Sequence, residues 1–452
     1  MLDLMFYSVC GACLLATLYF SKIPFVSFTG IYLRLVLILV YVPAYYVYRG
    51  GMFYTEGSNI SLLVYVLLLT QIIASCFSAH LAWHTRLPVV IRFHRKQSSR
   101  NYTLILTAVI VYAGVYMYHF FDKIPLFELL RGDFSATVAS RSELTHGFSG
   151  DEGRFFAYFR PITKDLLFML IFVLILKYRA NKKVVVALTL IISFVLLAHL
   201  EKSYALMIML ALWTSRAIFK KASLKDELYL SIGGFVLAVS VIYGFFASSL
   251  SDAISYVPLR LMAQIGYIPE QLKLSQAYGP LLLRGMNLGL LNRATGIEFV
   301  DVSRMAWEEI HSSDSALGLS GSSAGLAACD AYMILGAIGL VALLCLLYAH
   351  FYIDKLLRMS IMPKGKEAEL NYGALAFYIY FLSFYPLSLI GSLLGIFALP
   401  YVVQPGLLLC CMAVVAINKV TVLRLQAIPT TRLTRGGTEV YVRHFPSADS
   451  NC

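Results

Sequence analysis

Charge is what this chain has least of. Only 14% of its residues are charged against 59% hydrophobic, a balance under which a soluble protein could not cover its own surface. Segments of short alternating polarity are missing as well, which excludes a transmembrane barrel. Cysteines are present but do not form a framework. None of Cys10, Cys13, Cys76, Cys329, Cys345, Cys410, Cys411 and Cys452 falls in the two longest polar stretches, 121–163 and 248–325. No disulfide scaffold follows, no Cys/His spacing resembles a metal site, and each cysteine reads as a small buried hydrophobe. H-E-x-x-H, P-loop and G-x-G-x-x-G patterns are absent too, so metalloprotease, nucleotide-driven and dinucleotide readings lack support.

What the chain does have is a succession of apolar runs. They lie near 2–20, 27–48, 61–83, 102–120, 164–178, 184–200, 203–219, 229–247, 325–350, 372–395 and 400–420. At roughly 20 residues per crossing these predict an all-α polytopic integral membrane protein of about eleven (ten to twelve) transmembrane helices. The first run carries Asp3 and no basic residue ahead of it, so it is expected to stay as a helix rather than be cleaved. The expected organisation is spans 1 to 4 in 1–120, a first large loop at 121–163 and spans 5 to 8 in 164–247. A second large loop at 248–325, spans 9 to 11 in 326–420 and a basic tail at 421–452 complete it.

Lysine and arginine set the expected orientation. More than half of the 37 fall in alternate connections, among them Arg92, Arg95 and Lys96, then Lys177, Arg179, Lys182 and Lys183, then Lys355 and Arg358. The positive-inside rule makes those connections and the tail cytoplasmic, and both large loops and the N-terminus external. The net charge of +12 is mostly this topology signal, met by anionic headgroups, and does not argue for nucleic acid. In 121–165 six basic residues face seven acidic ones, which predicts a folded, salt-bridged loop.

The 248–325 loop is the expected working face. Val257, Leu261, Ile265, Ile268 and Leu272 recur at helical spacing, with Arg260, Gln264 and Gln271 among the polar positions. The pattern predicts amphipathic helices started at Pro258, broken at Pro269 and lying at the lipid interface with the apolar face down. Val302–Ile310 is a second such element, with Met305, Ala306 and Ile310 on one side. Arginine binds phosphate bidentately and never loses its charge, so Arg260, Arg284, Arg141, Arg304 and Arg293 are candidate ligands for an anionic headgroup. For each the alternative is a salt bridge to a loop carboxylate. Lys202 is either a turn residue or a further phosphate contact. Arg34, inside the second span, is expected to extend toward an interface. The candidate bases are Glu308, Glu309, His311 and Glu143, with Asp314 and His146 beside them, and spacing selects none of these.

Three stretches carry a resemblance: Lys123-Ile124-Pro125-Leu126-Phe127, then Glu201-Lys202-Ser203, and Ser322-Ser323-Ala324-Gly325 followed by Ala331-Tyr332 and Gly336-Ala337-Ile338-Gly339. With the two arginine-bearing loops, they resemble the Wzy-type oligosaccharide repeat-unit polymerases, the O-antigen polymerases among them. The resemblance implies a GT-C-like glycosyltransferase of the bacterial inner membrane, N-terminus periplasmic and C-terminus cytoplasmic. It would transfer a growing glycan from undecaprenyl pyrophosphate to an incoming lipid-linked repeat unit, with no nucleotide sugar, cofactor or metal. Its implied partners are the undecaprenyl-pyrophosphate-linked oligosaccharide, membrane lipids, and a chain-length regulator and flippase of the same pathway. An O-antigen ligase, using a periplasmic histidine such as His146 or His311, and a lipid-linked oligosaccharide flippase are the other readings. The orientation has a direct check: a reporter active only outside the membrane is expected to work when fused after Tyr278 and to be silent when fused after Arg424.

Overall fold

In a medium without water every backbone N–H and C=O must find a partner within the protein, so apolar runs become helices and their ends need caps. The computed structural model describes residues 2–21, 23–24, 26–44, 62–87, 89–95, 100–132, 136–137, 140, 165–198, 202–219, 232–233, 236, 249–252, 254, 265–278, 281–285, 295–313, 325–361, 371–391, 417–424, 432–435 and 438–441. Helices form its framework. They are α1 (Leu2–Phe20), α2 (Phe28–Val36, continued by a π turn, Leu37–Tyr41), α3 (Leu62–His84), α4 (Arg100–His119) and the short α5 (Pro125–Arg131). Then come α6 (Leu167–Lys177), α7 (Lys182–Leu197), α8 (Lys202–Phe219), α9 (Ile268–Tyr278) and α10 (Val302–Ile310). The last three are α11 (Ala327–Leu335), α12 (Ala337–Ile361) and α13 (Tyr372–Gly391). Leu63–His84, Tyr102–His119 and Ala337–Ile361 are long and apolar enough to cross a bilayer, which makes the fold compatible with a helical membrane protein. Two short antiparallel pairs stand outside the framework: β1 (Val89–Arg95) with β2 (Ile417–Arg424), and β3 (Arg432–Arg435) with β4 (Thr438–Tyr441).

The expected span at 229–247 lies almost wholly outside the described residues, as does most of that at 400–420. The end of the latter is strand: β2 begins at Ile417. The span expected at 325–350 is corrected more deeply, because it is two helices. Gly336 adopts φ +62° between them, a conformation suited to glycine, and the chain doubles back. Gly339 then lies so close to the Ala331 carbonyl that any Cβ there would collide with it. The second helix continues to Ile361, which brings Asp354 into the bundle.

Asp354 is fully buried and accepts four hydrogen bonds. Phe28 N (3.1 Å) and Thr29 N (3.0 Å) donate to it from the first turn of α2, Thr29 Oγ1 donates at 2.7 Å, and Tyr378 Oη donates from α13 at 2.8 Å. Trp83 Nε1 in turn donates to Thr29 Oγ1 at 3.0 Å. The next residue, Lys355, caps the opposite kind of end: its Nζ donates to the carbonyls of Trp83 (2.7 Å) and Thr85 (2.6 Å) where α3 finishes. Arg358 donates to the Val26 carbonyl just ahead of α2. One turn and a half of α12 therefore seals the ends of two neighbours. Stacked Phe28 and Phe381 (4.7 Å), and Phe351 edge-on to Tyr32 (5.4 Å), pack around this point. Gln71 does similar work deeper in α3, donating to Tyr32 Oη (2.7 Å) and accepting from Ala328 N (2.8 Å) at the start of α11.

Long-range contacts join residues that the charge bias assigns to one side. β1 pairs with β2, Lys355 reaches Thr85, and the Arg179 guanidinium lies 4.4 Å over Phe219 and donates to Tyr372 Oη. From the other set, Leu126 N at the start of the first large loop donates to the Ala198 carbonyl beyond α7 (3.1 Å). Pro125 opens α5, Gly132 at φ +84° closes it, and Arg131 is paired to Glu128 (2.8 Å) and Asp122 (3.2 Å), so the described part of that loop is folded and salt-bridged as expected. Arg34 Nη1 turns back to the Gly30 carbonyl, toward the α2 end sealed by Asp354. Of the cysteines, Cys10, Cys76 and Cys329 are buried as expected, whereas Cys13 and Cys345 are exposed on the outer surfaces of apolar helices.

Replacing Asp354 with alanine strands buried donors from two helices. The expected cost is about 3 kcal/mol or more, read as a lower melting temperature of the purified protein than for Asp354→Asn, which keeps one carbonyl acceptor.

Candidate functional site

The second large loop is built on α9 and α10. Helix is interrupted just ahead of Pro269, close to the expected break: Ile265 and Gly266 are helical, Tyr267 is a turn, and α9 begins at Ile268 with Pro269 second, where its missing N–H costs nothing. Ile265, Ile268 and Leu272 are buried, as their spacing predicts, but against the bundle rather than lipid, since they share one continuous core with Val302 and the α11 residues Ala327 and Met333. Gln271, placed among the polar positions, is also buried. The apolar ground for the loop is α11, whose Met333 carbonyl accepts from Leu281 N (3.2 Å). Helix α10 spans Val302–Ile310 as expected, opened by Asp301, whose carboxylate accepts from Arg304 N at 3.0 Å.

Two ion-paired sets order the polar surface. Lys273 of α9 holds Glu270 (2.9 Å) and reaches across to Glu309 of α10 (3.6 Å). These carboxylates, Glu270 foremost, push the lysine ammonium above its ordinary range. On α10 itself Arg304 Nε donates to Glu308 Oε1 at 2.7 Å, and Glu308, with Asp301 behind it, raises the guanidinium in the same way. Both cations remain in water, so the pairs organise the surface more than they stabilise it. Where α10 ends, His311 stacks on Trp307 (5.0 Å between ring centres), and its Nε2 lies 2.8 Å from the hydroxyl of buried Tyr267.

Arg284 differs from Arg304. It sits in the tight 3-10 turn Leu282–Gly285, next to Leu282, which is held at φ +46° although it is exposed. A leucine in the left-handed region is strained, and such strain persists only where the surroundings impose it. The turn is pinned on both sides: Arg284 N donates to the Leu281 carbonyl (2.8 Å), and Val300 N donates to the Arg284 carbonyl (2.8 Å) just ahead of α10. Its guanidinium is exposed and, among the described residues, has no partner.

No family model matches the chain, and neither a curated protein nor a solved structure matches it. Function therefore rests on what the residues themselves can do.

Glu308, Glu309, His311 and Arg304 sit on α10 and its end, and the backbone of Arg284 is bonded to Val300 just ahead of that helix. Lys202 opens α8. Arg260, Arg141, Arg293 and Glu143, with Asp314 and His146, lie outside the described residues. The salt-bridge alternative holds for Arg304, and among the described residues Arg284 has no such partner. Spacing does not single out Tyr267 or Trp307: only tertiary packing brings Tyr267, at the head of α9, onto the end of α10. Gly321-Ser322-Ser323-Ala324-Gly325 has the G-x-S-x-G spacing, and Ser323 too lies outside the described residues.

Removing the α10 cap by Asp301→Ala is expected to cost about 1 kcal/mol. Limited proteolysis of the second loop, faster in the variant with the helical core uncut, is the measurement that checks it.

Proposed function

We propose that this protein is a polymerase of undecaprenyl-pyrophosphate-linked oligosaccharide repeat units, with about eleven spans, a GT-C-like plan and its site on the periplasmic face of the inner membrane. The observation that carries the reading is the contrast between two arginines: Arg304 is paired to Glu308, whereas Arg284, on a strained turn bonded to the segment just ahead of the same helix, has no partner among the described residues. An accessible arginine held by backbone bonds is pre-shaped for a diphosphate. The start of α10 adds the positive end of a helix dipole near the same turn.

In this mechanism the hydroxyl oxygen of the incoming unit's terminal sugar attacks the anomeric carbon of the growing glycan. The bond from that carbon to the pyrophosphate oxygen breaks, and Arg284 takes up the charge that develops on the leaving diphosphate. The hydroxyl proton passes to a carboxylate. Glu309 suits that step better than Glu308, because its nearest cation stands at 3.6 Å instead of 2.7 Å. No cofactor enters the chemistry proposed.

The test is Arg284→Ala in cells, with surface polysaccharide resolved on gels. Long glycans are expected to fall by about 10- to 100-fold while single repeats persist, with Arg284→Lys intermediate. Unchanged ladders with Arg284→Ala would overturn the reading, and complete loss of attachment would favour a ligase.

A further inference from the structure

We propose that His80 and His84, one turn apart at the end of α3 that Lys355 seals, form a two-imidazole site for a divalent cation of the zinc, copper or nickel class, with water completing the coordination shell. The site is independent of the polymerase reading.

Three intervening residues bring two histidines to one side only in a helix, where 3.6 residues make a turn. In α3 the two imidazole centres lie 4.0 Å apart, with their planes 26° from parallel, and both side chains are exposed. His84 Nδ1 lies 2.8 Å from the His80 carbonyl. A carbonyl oxygen only accepts, so in the neutral ring Nδ1 carries the proton and the lone pair is on Nε2. A histidine whose one ring nitrogen donates to a backbone carbonyl, leaving the other unprotonated, is set as metal-binding histidines are. Among the described residues neither ring has a further hydrogen-bond or ion-pair partner. The same spacing places both histidines of the H-E-x-x-H motif on one zinc ion.

The surroundings fit an ion held at an interface. Leu63–His84 is 22 residues long, about 33 Å of helix against roughly 30 Å of hydrocarbon, so its last turn reaches the headgroup zone, where water and ions have access. Lys355 Nζ donates to the Trp83 and Thr85 carbonyls on either side of His84, which keeps that turn from fraying. Imidazole favours zinc, copper and nickel, whereas magnesium and calcium prefer oxygen. No third His, Cys, Asp or Glu joins the pair among the described residues, so the site is open and weaker than a closed structural zinc centre. The positive charges of Lys355 and of exposed Arg86, two residues on, weaken it further. A bound ion staples the last turn of α3 just before the chain leaves for β1.

The test uses full-length protein purified without a polyhistidine tag, stripped with chelator and titrated with Cu2+ or Zn2+. One equivalent of Cu2+ is expected to show two imidazole nitrogens in its electron spin echo spectrum. Zn2+ affinity, measured by equilibrium dialysis, is expected to fall about tenfold or more in His80→Gln and in His84→Gln alike. It is expected to stay unchanged in His119→Gln, which alters an exposed histidine at the end of α4. Acidification to about pH 5, where imidazole takes a second proton, is expected to release the ion. Cu2+ held by a single imidazole in the unmutated protein overturns the proposal without any variant having to fold. Zn2+ binding that survives either substitution overturns it too, marking the ion as adventitious. None of these readouts depends on glycan synthesis, so the polymerase reading can fail separately.

Discussion

A helix that ends inside an apolar bundle leaves N–H or C=O groups that water cannot reach, and the structure depends on how those ends are closed. The last turns of α12 close two of them. Asp354 supplies the acceptors for the start of α2, Lys355 the donor for the end of α3, and Arg358 the donor for the segment before α2. Oppositely charged neighbours in sequence thus answer opposite needs in space. Tyr378 and Trp83 complete the arrangement, so α2, α3, α12 and α13 are tied at one end by hydrogen bonds and stacked rings.

At the other end the constraint is relaxed, and polar chemistry collects there. Gln71 and the Gly336 turn fold α11 against α12 and give the second loop an apolar ground inside the protein. On that ground α9 and α10 pack, and Lys273 bridges them. The outcome is a helix pair on which Lys273 holds Glu270 and Glu309 and Arg304 holds Glu308, with Arg284 on its constrained turn lacking a partner among the described residues.

Much of this architecture is legible in the order of residues. Apolar run length places α1, α3, α4, α6, α7, α8 and α13 to within a few residues, because length and burial alone decide such helices. The polar–apolar pattern of Val302–Ile310 gives both ends of α10. Where local pattern competes with tertiary packing it misleads. The run at 325–350 reads as continuous because hydropathy is blind to a glycine at positive φ. Gln271 reads as exposed by residue type, yet the bundle covers it.

Sequence by itself determined that the chain is apolar and helical, since composition and run length require no partner to be read. Tertiary structure alone decided that Asp354 is a buried acceptor, that Arg304 is paired while Arg284 has no partner among the described residues, and that Tyr267 meets His311. Those facts concern distances between residues far apart in the chain, set by which helices pack together and how their ends are closed, and no periodicity along the sequence encodes them.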